Sequence, residues 1–161
     1  MIDLDDIDRR IISELQRDGR LAIVDLADRV GLSATPCLRR VKRLEADGLI
    51  RRYAALVDPK GLGLSTQALV QVTLDDHSEP VVEAFEAAIR QRPEVIACYA
   101  VTGEMDFLLQ VQVADLEAFS EFALKALLRM PGVRGTKSSF IMQTIQSDLA
   151  WAPSPAATAA P

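Results

Sequence analysis

Near residue 60 the spacing of apolar residues changes from three-or-four to two, and one uniform layer of structure cannot satisfy both periods. Before the change, Leu4, Ile7, Ile11 and Leu15 share one helical face, with Asp3 or Asp5 placed to cap it and Gly19 to stop it. Ile23, Leu26, Ala27 and Val30 predict a second, shorter helix ended by Gly31. A third begins at Ser33 or Thr35, accepts Pro36 in its first turn, where the missing N–H costs nothing, and stops at Gly48. Three short helices with a glycine turn between the second and third form a helix-turn-helix pattern. Ile50 to Val57 predicts a strand or short wing, and Asp58-Pro59-Lys60-Gly61 a turn, so a DNA-binding domain is expected over residues 1–60, with its boundary near 58–64.

Beyond the boundary, Ala68 to Leu74 alternates as a half-buried strand does. Residues 80–91 predict a helix burying Val82, Phe85 and Ile89, and Val95 to Val101 and Phe107 to Val113 predict two strands joined through Gly103. Leu116 to Met130 predicts one helix with Phe119, Ala123, Ala126 and Leu127 on a face, ended by Pro131-Gly132; Ser139 to Ile145 predicts a last strand. The order β-α-β-β-α-β is that of a ferredoxin-like sandwich over residues 65–147, and the fold class is therefore α+β. Both helices cover one sheet face. The other carries apolar residues on several strands, which predicts self-association. The Ala/Pro-rich, uncharged stretch 151–161 is expected to be a disordered tail.

Composition narrows the function. Only Cys37 and Cys98 are present among 161 residues, too few for a disulfide framework, and no apolar run approaches the roughly 20 residues of a membrane span. With no leader-like segment before the first helix, a reducing cytoplasm is the expected setting. The formal charge of −5 hides a division: residues 1–60 carry +1 and residues 61–161 carry −6. Within 35–60, Arg39, Arg40, Lys42, Arg43, Arg51, Arg52 and Lys60 oppose only Glu45, Asp47 and Asp58.

Chemistry of other kinds is poorly supplied. The single histidine, His77, has no metal-ligating neighbour in sequence and reads as a solvated loop residue; Cys37 and Cys98 read as small buried hydrophobes. Gly61-x-Gly63 lacks the rest of a dinucleotide fingerprint, and Glu104 with Asp106 on a tight hairpin reads as a solvated turn, so no catalytic residue, metal or cofactor is assigned.

The third helix is different. Cys37, Val41 and Leu44 face its core, so Thr35, Arg39, Lys42 and Arg43 point outward, flanked by Pro36 and Arg40. Arginine reads guanine edges bidentately and threonine touches thymine methyls, while the helix start at Ser33 or Thr35 offers N–H groups to a phosphate. The expected partner is double-stranded DNA.

Leu4-Asp5-x-x-Asp8-x-x-Ile11, followed by Val30-Gly31-Leu32-Ser33-x-Thr35-Pro36-Cys37-x-x-Arg40-Val41-x-x-Leu44-Glu45-x-x-Gly48-x-Ile50, resembles the DNA-binding domain of Lrp/AsnC (leucine-responsive, asparagine-regulator) transcription factors. Val101-Thr102-Gly103-x-x-Asp106-x-x-Leu109 is similar to that family's effector loop, and Leu128-x-x-Pro131-Gly132-Val133 with Thr136-x-Ser138-Ser139-Phe140 to its last helix-to-strand passage. The resemblance, over about residues 2–147, implies a cytoplasmic, nucleoid-associated regulator that dimerises through its C-terminal sheets, assembles further into tetramers or octamers, and responds to an amino acid bound near Gly103.

That implication fits the loop's chemistry. Asp106 suits an ammonium, the backbone N–H groups around Thr102, Gly103 and Glu104 suit a carboxylate, and Tyr99 with Ser138 and Ser139 of another subunit would shape the side-chain pocket. Met105 stands where the family often has an aromatic residue; a flexible thioether favours an apolar or sulfur-containing ligand. The alternative function is an architectural DNA-compacting protein without an effector.

Overall fold

The computed structural model describes residues 3–146, which divide into two compact units, one ending at Leu56 and the other spanning Val57–Ile145. The expected tail at 151–161 lies outside the described residues.

The first unit is three helices: α1 (Asp6–Arg17), α2 (Ile23–Val30) and α3 (Ala34–Ala46). At the start of α1, Asp5 is the cap. Its Oδ1 accepts the Asp8 N–H at 2.8 Å while Asp8 reaches back to the Asp5 N–H at 3.3 Å, a reciprocal capping box that satisfies two helix-end donors. Ser33 occupies the cap position of α3 with extended backbone, but its hydroxyl makes no capping bond. Ile11, Leu26, Ala27, Val30, Cys37, Val41 and Leu44 form the buried core, supported by Leu4, Ile7, Leu15 and Ile50 at its rim. Each fully buried Ile or Leu contributes about 2 kcal/mol from lost apolar hydration, so α3 is oriented by Cys37, Val41 and Leu44.

The expected strand at Ile50 to Val57 does not form. Its backbone runs without a ladder partner among the described residues, and β-propensity alone cannot stand in for one. Tyr53 instead lies over Gly19 and donates its hydroxyl hydrogen to Glu45 Oε1 at 2.8 Å.

The second unit opens with a 3₁₀ turn (Pro59–Leu62) and continues as β1 (Thr66–Leu74), α4 (Glu79–Arg90), β2 (Val95–Ala100), β3 (Phe107–Val113), α5 (Leu116–Glu121) and β4 (Val133–Phe140). The sheet is antiparallel throughout, in the order β2-β3-β1-β4 expected of the ferredoxin-like arrangement. Ala68, Val70, Val72 and Leu74 of β1 and Phe107, Leu109, Val111 and Val113 of β3 meet Phe85, Ile89, Phe119, Phe122 and Leu127 in one buried cluster. Phe85 and Phe107 stack at 4.6 Å between ring centroids, anchoring α4 to the sheet.

Three details depart from the sequence reading. The helix expected over Leu116 to Met130 is broken: after α5 a π-helical turn (Phe122–Ala126) and a 3₁₀ turn (Leu127–Arg129) follow, an arrangement that lets both Phe122 and Leu127 reach the core. The last strand lies earlier than Ser139 to Ile145, because β4 pairs Val133 with Leu74 and Phe140 with Ala68, where β1 offers its free edge. Met142 is fully exposed beyond it. Cys98 is exposed, not buried, because β2 is an edge strand with a neighbour on one side only.

Candidate DNA interface and effector loop

Helix α3 presents its cations on two flanks. Thr35, Arg39 and Lys42 lie at the centre of the outward side and are exposed, and neither Arg39 nor Lys42 forms an ion pair among the described residues. Arg40 and Arg43, three residues apart, turn toward the start of α1. Arg40 Nη1 lies 2.7 Å from Asp5 Oδ2 and 2.8 Å from Asp8 Oδ1, and Arg43 Nη2 pairs with Asp8 Oδ2. Asp8 is only 1% exposed, so two cations neutralise a carboxylate that would otherwise be buried at large cost. Sequence reasoning misses Asp8, yet its place on the stripe Leu4, Asp8, Ile11, Leu15 is a signal that reveals it: an acid at an apolar position needs partners. The backbone N–H of Asp8, and after it the Arg40 guanidinium, hold the Asp5 carboxyl below its ordinary range. The carboxylates of Asp5 and Asp8 in turn push Arg40 further up. Ser33 is exposed and Pro36 half-buried at the start of the helix.

In the second unit the turn between β2 and β3 is closed by the Val101 N–H donating to the Asp106 carbonyl at 3.0 Å. Thr102, Gly103 and Glu104 are exposed at its tip, and Met105 is half-buried beneath them. Gly103 has φ +122°, and a Cβ there would meet nothing within 4 Å, so the main chain is open to close approach. Asp106 is held from two sides. Its Oδ2 accepts the Leu74 N–H at 2.7 Å, and its Oδ1 lies 2.8 Å from His77 Nε2. The Leu74 N–H, and then His77, keep this carboxyl below its ordinary range, so it is ionised at neutral pH. His77 is therefore tied to the loop as well as solvated, a link that sequence distance concealed.

Tyr99 on β2 is 55% exposed, and Ser138 and Ser139 on β4 are exposed. These strands are the two edges of the sheet, three strand spacings or about 14 Å apart, so one chain does not bring the three side chains together. On the face away from the helices, Tyr99 is paired with Leu108, and Leu69 is 36% exposed.

A helix-turn-helix with a basic recognition helix, followed by an α+β unit with an open, carboxylate-bearing loop, defines a DNA-binding transcription regulator with a ligand-binding domain. Comparison with known proteins identifies the group. Residues 4–51 match the family model for winged helix-turn-helix DNA-binding and residues 67–151 that for the Lrp/AsnC ligand binding domain. The chain is 44% identical over 144 residues to the leucine-responsive regulatory protein of Salmonella typhimurium, covering 89% of this chain and 88% of that one. A transcriptional regulator of Neisseria meningitidis solved with L-methionine is 43% identical and superposes with a TM-score of 0.89, covering 92% of this chain and 96% of that one. The feast or famine regulatory protein of Mycobacterium tuberculosis, also solved with L-methionine, is 38% identical with a TM-score of 0.85, covering 94% and 100%. The chain belongs to the Lrp/AsnC family of transcription regulators.

Proposed function

We propose that this regulator senses a free amino acid with an apolar or sulfur-containing side chain and binds duplex DNA through α3. The observation that carries the sensor reading is Asp106: an ionised carboxylate, fixed by Leu74 and His77, beside an exposed glycine turn whose main chain is open to close approach. A zwitterion needs both halves of that arrangement, its ammonium at Asp106 and its carboxylate at the main chain of Thr102, Gly103 and Glu104. Two relatives solved with L-methionine support the choice of ligand class. The half-buried Met105 supplies a soft, adaptable wall.

The opposite edge positions of Tyr99 and of Ser138 and Ser139 support a pocket completed between copies of the chain, and exposed Tyr99 and Leu69 on the uncovered sheet face support the self-association that would supply it. On DNA, Thr35, Arg39 and Lys42 face the major groove, Ser33 and Pro36 bring the helix start to a phosphate, and Arg40 and Arg43 flank them. The N-terminal unit then reads chromosomal DNA in the cytoplasm while the C-terminal unit assembles and senses.

Isothermal calorimetry of the full chain with L-methionine, L-leucine and L-lysine tests the sensor. Heat from the first two, lost in Asp106→Ala with the fold retained, is the expected result. Binding of lysine alone, or binding unaffected by Asp106→Ala, refutes it.

A further inference from the structure

The flank of α3 that turns toward α1 holds two of the helix's four cations against the carboxylates of Asp5 and Asp8. A carboxylate and a phosphate offer arginine the same fork of oxygen acceptors. Arg40 has both of its carboxylate partners within 2.8 Å, and Arg43 shares Asp8 with it. Asp8 is buried, so its partners cannot leave it without exposing an unpaired charge to the protein interior. Arg39 and Lys42, by contrast, are held by no carboxylate among the described residues.

We propose that Asp5 and Asp8 limit how many phosphates α3 neutralises: by occupying Arg40 and Arg43 they compete with phosphate for two of the four cations on the recognition helix. Non-specific affinity comes almost wholly from the number of phosphates a protein neutralises, each adding about 0.9 to the slope of log K against log[salt]. Base reading adds contacts that only the right sequence returns. Withholding two arginines from phosphates thus lowers the affinity for duplex DNA of any sequence and makes it less salt-dependent, while Thr35, Arg39 and Lys42 stay free to contact bases. This inference rests on α3 being the DNA-contacting helix.

Two variants of the full chain separate the possibilities. Asp5→Asn keeps a side chain that caps helices well and removes one charge from the edge of the network. Asp8→Asn removes the central charge and keeps the acceptor for the capping box. Each is checked for native circular dichroism, then titrated against a random-sequence 30-base-pair duplex by fluorescence anisotropy at about 50 to 200 mM salt. Both are expected to bind random DNA more tightly than the wild type at low salt. The salt slope should steepen by up to about 0.9 per arginine released in each protomer, so affinity falls about 3.5-fold further across that range for each added contact. An unchanged or shallower slope in a folded Asp8→Asn variant overturns the inference; if that variant does not fold, Arg40→Ala, which leaves Arg43 on Asp8, decides it, because a slope shallower by about 0.9 per protomer would mean that Arg40 already neutralises a phosphate. A wild-type protein that binds duplex DNA at no salt concentration, or binds equally well as Arg39→Ala/Lys42→Ala, overturns the assignment of α3 and this inference with it.

Discussion

Replacing Gly132 by alanine joins two costs that the structure allows to be separated. Gly132 begins the passage into β4 at φ +71°, a backbone region where a side chain costs about 1 to 2 kcal/mol. A Cβ there would also stand 2.3 Å from Val81 Cγ1, and Val81, in the first turn of α4, is β-branched with little rotamer freedom to retreat. Overpacking of that kind costs about 1 to 3 kcal/mol, so Gly132→Ala should destabilise the second unit by about 3 kcal/mol. At a urea m-value of about 1 to 3 kcal/mol/M, the midpoint falls by about 1 to 3 M. The measurement is urea unfolding by circular dichroism at one fixed protein concentration, because association raises apparent stability. Adding Val81→Ala removes the clash and leaves the backbone strain, so the double variant should be more stable than Gly132→Ala alone. Additive losses in the two single variants, or a Gly132→Ala midpoint equal to the wild type, would refute the reasoning. The Gly132 carbonyl accepts the Asp75 N–H at 2.8 Å, two residues from His77, so the same substitution should also weaken L-methionine binding.

Ile11→Ala empties a fully buried position in the helical core and should cost about 3 kcal/mol by thermal unfolding; DNA affinity at room temperature is then lost with the fold of the first unit. Tyr53, raised to about 12 chiefly by burial and then by Glu45, should ionise near pH 12 in a 295 nm absorbance titration. Because its folded value lies above its ordinary value of 10, the associated stability is intact below pH 10 and lost as pH rises toward 12, and Tyr53→Phe should abolish that loss. The sign reverses at Asp106, whose carboxyl is depressed: its contribution is present above the ordinary carboxylate range and lost as pH falls through its lower folded value. Acid unfolding of Asp106→Asn should show a weaker pH dependence there than the wild type.

Where one face of an element is buried in its own chain, the sequence revealed it. Phe107 to Val113 alternates because β3 is an interior strand with one face under the helices, and its predicted and observed limits agree. Ile50 to Val57 has comparable strand propensity but, among the described residues, no strand beside it, and pairing is a property of two segments. Ser139 to Ile145 was favoured by its bulky apolar residues, whereas β1 selected the smaller Val133–Phe140 by offering it backbone partners. At the site, the helical period placed Arg39 and Lys42 on the outward side of α3, but it could not show that α1 would claim Arg40 and Arg43, because the contact joins residues 32 to 35 positions apart. The Asp106 loop was legible as a motif, and its clasp by His77 was not, since 29 residues separate them.

The placement of Tyr99 and of Ser138 and Ser139 on opposite edges of the sheet has a genetic counterpart. If each ligand pocket takes Tyr99 from one copy and the serines from another, a chain damaged at Tyr99 and a chain damaged at Ser139 are complementary: mixed together, they rebuild some intact pockets out of two inactive proteins. Coexpression of the two variants should then restore a ligand response that neither shows alone, and the same logic makes a single damaged allele dominant over a healthy one, since it spoils pockets to which it contributes only half.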